Sequence, residues 1–191
     1  MPYPYGIADI KRKDLIGLDE CGVELSTADR SIGKAFIGTR VKQAGLYSKS
    51  DKWNLLLAIS GDPAARRWQY MWSGEGTTGD RMVSFLSMIL EQIGPGTNER
   101  RYCFIMDNLS SHHDIQMSLL IFMAGHRLVF RAPYYPIDGP IEFVFNTIQG
   151  SLRIHMANIV DGPLLRDEVI ASIGDIETFE PSFINCGYWV N

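Results

Sequence analysis

The 191-residue sequence contains no apolar run approaching the roughly 20 residues that span a bilayer. Its opening, Met1-Pro2-Tyr3-Pro4-Tyr5-Gly6, lacks the charged-then-apolar design of a signal peptide. A protein acting inside the cell, away from the membrane, is the resulting expectation. Cysteine is scarce: Cys21, Cys103 and Cys186 are odd in number and far apart, which argues against a disulfide framework and a CxxC zinc site. Low-complexity segments and internal repeats are missing too. Positive charge is in deficit, with 18 Lys and Arg against 22 Asp and Glu for a net charge of −4. A domain-wide nonspecific nucleic-acid clamp, which needs clustered cations to displace counterions, is thereby disfavoured. The glycine-rich stretch Ser73-Gly74-Glu75-Gly76-Thr77 lacks the lysine and spacing of a phosphate-binding loop and reads as an ordinary loop.

What the chain does have is 46% hydrophobic and 21% charged residues, the balance of a folded domain large enough to bury a core without staples. The apolar runs Leu15 to Asp19, Trp53 to Ile59, Trp68 to Trp72, Arg101 to Met106 and Leu128 to Arg131 read as strands, and Gly22 to Leu25 reads as the start of a further one. Thr77 with Asp80 suggests a capping box ahead of a helix whose apolar face is Met82, Phe85, Leu86, Ile89 and Ile93, stopped by Gly94-Pro95-Gly96. Ile115 to Ala124, Leu164 to Ile173 and Phe179 to Ile184 read as further helices. Strands alternating with helices imply an α/β layered sheet with parallel pairs.

Pro140 suits the first position of another helix, with Gly139 at its cap and Glu142 in its third position, where the helix dipole favours an acid. On that helix Ile141, Val144, Phe145, Ile148 and Leu152 form the apolar face, while Glu142, Asn146, Gln149 and Arg153 form a polar stripe able to follow a nucleic-acid backbone.

Three carboxylates stand out: Asp19 and Asp107, each closing an apolar run, and Glu142, separated from Asp107 by thirty-four residues. Carboxylates so placed can hold divalent ions against a phosphodiester without a protein nucleophile. Each has a plainer reading. Asp107-Asn108 could form an Asx-turn, and Glu142 could serve only the helix dipole. His112 and His113 could be surface residues at a helix start, and no companion ligand nearby supports a zinc site.

Leu15-Ile16-Gly17-Leu18-Asp19-Glu20, Met106-Asp107-Asn108 with His112-His113, and Pro133-Tyr134-Tyr135-Pro136 leading to Pro140-Ile141-Glu142 together resemble the DDE superfamily. Within it they are most similar to mariner-type transposases, whose catalytic domain has a ribonuclease-H-like fold. The resemblance spans roughly residues 14 to 156. It implies a single α/β domain, a ribonuclease-H-like mixed sheet flanked by helices, with 1–13 as an N-terminal extension, 14–160 as the catalytic domain and 161–191 as a helical segment on the same body. It also implies Asp19, Asp107 and Glu142 as catalytic and metal-binding residues for two Mg²⁺ or Mn²⁺ ions. The implied partners are transposon-end and target DNA, with a homodimer as the assembly that pairs two ends, and the location is the nucleus if the host is eukaryotic. Asn108, His112, His113, Tyr134, Asn146, Gln149 and Arg153 are the candidate DNA contacts.

The sequence departs from the family pattern in places. Tyr135 replaces the serine expected after Pro-Tyr, Ile137-Asp138-Gly139 replaces Asp-Leu-Asn, Phe145 replaces a tryptophan, and Asn146, Gln149 and Gly150 stand where basic residues are usual. About fourteen residues precede the first strand, too few for the family's helix-turn-helix modules, so a catalytic fragment or remnant is expected. The alternatives are a catalytically silent domain that binds DNA or protein, and a ribonuclease-H-fold nuclease acting on hybrids or junctions.

Overall fold

The computed structural model describes residues 10–25, 33–41, 52–64, 66–107, 115–131, 139–155 and 158–189. Its elements are β1 (Leu15–Val23), β2 (Trp53–Ser60), β3 (Arg67–Ser73), α1 (Gly79–Ile93), β4 (Cys103–Met106), α2 (Ile115–Met123), β5 (Arg127–Phe130), α3 (Pro140–His155), α4 (Gly162–Gly174) and α5 (Glu180–Asn185). The strands form one sheet in the order β3-β2-β1-β4-β5. The pairs β1–β2 and β2–β3 are antiparallel, and β1–β4 and β4–β5 are parallel. This mixed sheet flanked by helices is the expected ribonuclease-H-like architecture.

Alternation along the strands divides the core into two layers. Leu15, Leu55, Leu57, Ile59, Cys103 and Ile105 face a layer completed by Ile141, Val144, Phe145, Ile148 and Leu152 of α3, Leu165, Val169 and Ile173 of α4, and Phe183 of α5. Ile16, Leu18, Leu56, Ala58, Phe104 and Met106 face the opposite layer, closed by Met82, Phe85, Leu86, Ile89 and Leu90 of α1 and Met117 and Ile121 of α2. Fully burying each such side chain stabilises the fold by about 1.5–3 kcal/mol. The inner strand β2 is apolar on both faces, as a strand covered on both sides must be.

Local chemistry sets the boundaries. Thr78, not Thr77, caps α1: its hydroxyl accepts the backbone N–H of Arg81. Gly94 ends that helix at φ +73°, a conformation glycine adopts without strain. The stretch from Gly22 does not begin a new strand; β1 continues through Val23, so that Asp19 lies within the strand, paired with Leu57 of β2. At the cap of α3 the Gly139 carbonyl accepts the N–H of Glu142 at 3.0 Å. Asp161 caps α4 by accepting the N–H of Leu164 at 2.9 Å. The Arg12–Glu180 ion pair ties the segment before β1 to α5, and the His155–Glu168 hydrogen bond ties α3 to α4.

Candidate active site

Asp19, Asp107 and Glu142 converge on one side of the sheet. Asp19 shares the parity of Leu15 and Val23, which face the α3 layer, and Asp107 follows Met106 on the parity of Cys103 and Ile105, which face the same layer. Glu142 is delivered to that side by the first turn of α3. The Cβ of Pro140 and the ring of Phe183 each lie 3.9 Å from the point where a Cβ on Gly17 would stand, so α3 begins directly over β1 within two residues of Asp19.

The three acids differ in exposure: Asp19 is buried, with 6% of its surface accessible, Asp107 is half-buried, and the Glu142 side chain is 38% exposed. Asp19 Oδ1 accepts the backbone N–H of Glu20 at 2.8 Å, which leaves Oδ2 turned toward the site. Burial pushes the Asp19 carboxyl up from 3.8 to about 7, and the charges of Asp107 and Glu142 push the same way. The Glu20 N–H and the Arg131 guanidinium oppose that rise. Desolvation and neighbouring like charges favour the neutral form of this acid, and a cation close by favours its charged form.

Two residues of this site were not marked by the sequence motifs. Arg131, just past β5, is 7% exposed, and its Nη2 lies 3.4 Å from Asp19 Oδ2 and 3.6 Å from Glu142 Oε1. Its backbone N–H donates to the Met106 carbonyl at 2.8 Å, anchoring it beside the strand end that carries Asp107. Gly139, where the resemblance calls for asparagine, leaves room for this guanidinium: a Cβ at 139 would stand 2.0 Å from Arg131 Nη1. Cys21 is the second. It follows Asp19 by two residues on the same strand face, and burial, with Asp19 and Glu142 adding to it, pushes its thiol up to about 12. A thiol held protonated in this way is no nucleophile. Period-two alternation could have signalled Cys21, and the adjacency of the β4 and β5 ends could have signalled Arg131.

Along α3, Asn146 is exposed and Gln149 and Arg153 are half-buried, with Arg153 Nη2 donating to Gln149 Oε1 at 3.4 Å. Asn108, His112, His113 and Tyr134 lie outside the described residues. Among the described residues no three His, Cys, Asp or Glu side chains are already gathered as a metal cage. All three cysteines are free thiols, and no described helix is long and apolar enough to cross a membrane.

The family model for DDE superfamily endonuclease matches residues 14–159. The chain belongs to that family. Its fold is similar to that of the Mos1 strand transfer complex, with a TM-score of 0.63 at 13% identity over 92% of this chain and 51% of that one. The Mos1 transposase catalytic domain with Raltegravir and Mg has a TM-score of 0.59 at 12% identity, covering 92% of this chain and 77% of that one. The intasome of simian T-cell lymphotropic virus in complex with PP2A regulatory subunit B56 gamma has a TM-score of 0.57 at 11% identity, over 87% of this chain and 49% of that one. The chain spans about half the length of the first solved structures it matches. No curated protein matches the sequence.

Proposed function

We propose that this DDE superfamily domain performs metal-dependent cleavage of DNA and strand transfer, with Asp19, Asp107 and Glu142 as its metal-holding acids. The observation that carries the reading is the buried Asp19 carboxyl, raised chiefly by desolvation and further by the charges of Asp107 and Glu142 on the same side of the sheet. A cluster of hard oxygen donors suits Mg²⁺ or Mn²⁺, and two such ions are the expected complement. Mos1 structures with Mg and with Mn support that choice. Divalent ions bound there would lower the pKa of an attacking water or 3′-hydroxyl and stabilise the leaving oxygen of an in-line displacement.

The chain's own residues supply position and charge. The Glu20 N–H fixes one Asp19 oxygen and presents the other, the start of α3 holds Glu142 over β1, and the end of β4 brings in Asp107. Asn146, Gln149 and Arg153 continue from Glu142 as the surface along which the DNA backbone would run. Transposon-end and target DNA are the partners in this reading, with a homodimer pairing two ends and the nucleus as the site of action in a eukaryotic host. The Mos1 paired-end complexes, one of them with the left transposon end, support DNA as the partner.

The test is Mg²⁺- or Mn²⁺-dependent nicking of duplex DNA by wild type and Asp107→Asn. Loss of nicking in the variant is expected; undiminished nicking would overturn the reading. A second reading, a catalytically silent binding domain, is favoured by one feature: Arg131 already stands between Asp19 and Glu142. DNA binding without nicking in either metal would support it.

A further inference from the structure

We propose that Arg131 is a built-in counter-cation of the acid site that competes with divalent metal, and that Gly139 makes its position available. This rests on the metal-holding reading of Asp19 and Glu142. One guanidinium nitrogen reaches both acids, at 3.4 Å from Asp19 Oδ2 and 3.6 Å from Glu142 Oε1, with only 6% of the Arg131 side chain exposed. Arginine stays protonated under any working condition, so the cation cannot be removed by losing a proton. A metal ion approaching these two oxygens meets a permanent positive charge already hydrogen-bonded to Asp19 and ion-paired with Glu142. Binding therefore requires the guanidinium to move aside or the ion to accept like-charge repulsion in a low-dielectric pocket.

The geometry shows how narrowly the arginine is accommodated. A Cβ at position 139 would lie 2.0 Å from Arg131 Nη1, 2.7 Å from its Cζ and 3.0 Å from Glu142 Cγ. All three are side-chain atoms, and the guanidinium is the far end of a flexible chain. The smallest side chain at 139 thus moves Arg131 rather than the backbone, and the residue opening the helix that bears Glu142 decides whether the pocket is filled by its own cation. Arg131 acts through the acids and is a positioning residue, holding Asp19 and Glu142 together in the absence of metal.

The experiment is a calorimetric titration of the purified chain with Mn²⁺, comparing wild type with Arg131→Met and Gly139→Ala, each checked for native far-ultraviolet circular dichroism. Arg131→Met should bind Mn²⁺ at least tenfold more tightly than wild type while melting at a lower temperature without metal, an opposition that a merely structural role would not produce. Gly139→Ala, which keeps the arginine but displaces it, should tighten binding in the same direction and provides the answer if Arg131→Met does not fold. The double variant should bind no more tightly than Arg131→Met. Equal or weaker Mn²⁺ binding in the folded single variants, with wild-type binding intact, would overturn the role of Arg131 alone. No Mn²⁺ binding in any variant, wild type included, would overturn the metal-holding reading and this proposal with it.

Discussion

The backbone N–H of Tyr102 donates to Nδ1 of His126 at 3.3 Å, in the interior of the domain. The other ring nitrogen lies 2.9 Å from the Gly94 carbonyl, so the network selects the neutral tautomer with its proton on Nε2. Protonating Nδ1 would break the bond to Tyr102. Burial lowers the His126 pKa from 6.5, the nearby Arg101 charge lowers it further, and the Gly94 carbonyl opposes both. A base whose folded-state pKa is depressed contributes stability that is complete above its unfolded value and is lost as the pH falls through 6.5 toward the folded value. Lowering the pH from 7.5 to 5.5 should therefore cost the wild-type chain stability that His126→Gln, which cannot take up a proton, keeps, whereas the raised Asp19 carboxyl gains stability as the pH falls through about 7 and does so in both chains. Between the two pH values the urea midpoint of the wild type should shift toward lower stability relative to that of His126→Gln; an equal shift in both chains would assign the pH dependence to other groups.

Two glycines differ in what surrounds them. Gly96 donates its N–H to the Ala124 carbonyl at 2.7 Å, and a Cβ there would meet the Gly125 carbonyl oxygen at 2.3 Å. Backbone cannot step aside as a side chain does, so Gly96→Ala should destabilise by about 1–3 kcal/mol. Gly150, inside α3, has nothing within 4 Å of its missing Cβ. Gly150→Ala should stabilise by about 0.5–1 kcal/mol through the lower entropy cost of fixing an alanine in a helix. Denaturant midpoints of the two variants should move in opposite directions.

Elements whose partners lie within their own segment were legible in the sequence. The 3.6-residue period of α1 and α3 and the cap at Gly139 are local, and the fold class followed from strands alternating with helices. Boundaries that depend on neighbours were not. β1 extends through Cys21-Gly22-Val23 because β2 supplies partners as far as Trp53, information that no window around residue 22 contains. The site behaved in the same way. Asp19, Asp107 and Glu142 stood out as candidates from motif and spacing, whereas Arg131 enters only because β5 lies parallel beside β4 and the residue just past its end reaches Asp19 and Glu142.

The cap of α1 gives that distinction a test. Thr77 and Thr78 are adjacent, and Thr77 with Asp80 matches the sequence rule, yet the Thr78 hydroxyl is the one that accepts the Arg81 N–H. Thr78→Ala should cost about 1 kcal/mol, the usual loss for removing a side-chain cap. Thr77→Ala should shift the denaturation midpoint by much less. Equal losses would mean that both hydroxyls serve the helix start.

Phe183 sets α5 against the strand that carries Asp19. It is fully buried, and its ring tip lies 3.9 Å from the Cβ position of Gly17, where the Cβ of Pro140 also lies at 3.9 Å. α5 thus supports both β1, two residues before Asp19, and the first residue of α3, two residues before Glu142. Phe183→Ala should cost about 3–5 kcal/mol, because a deleted ring forfeits its transfer free energy and leaves a cavity. Phe183→Leu, which keeps most of the apolar contact, should cost less. If the ring also sets the spacing of the acids, Mn²⁺ binding should weaken in Phe183→Ala under conditions where circular dichroism shows the chain still folded. Unchanged Mn²⁺ affinity in that folded variant would confine Phe183 to stability and leave the placement of Glu142 to the cap at Gly139 and the apolar face of α3.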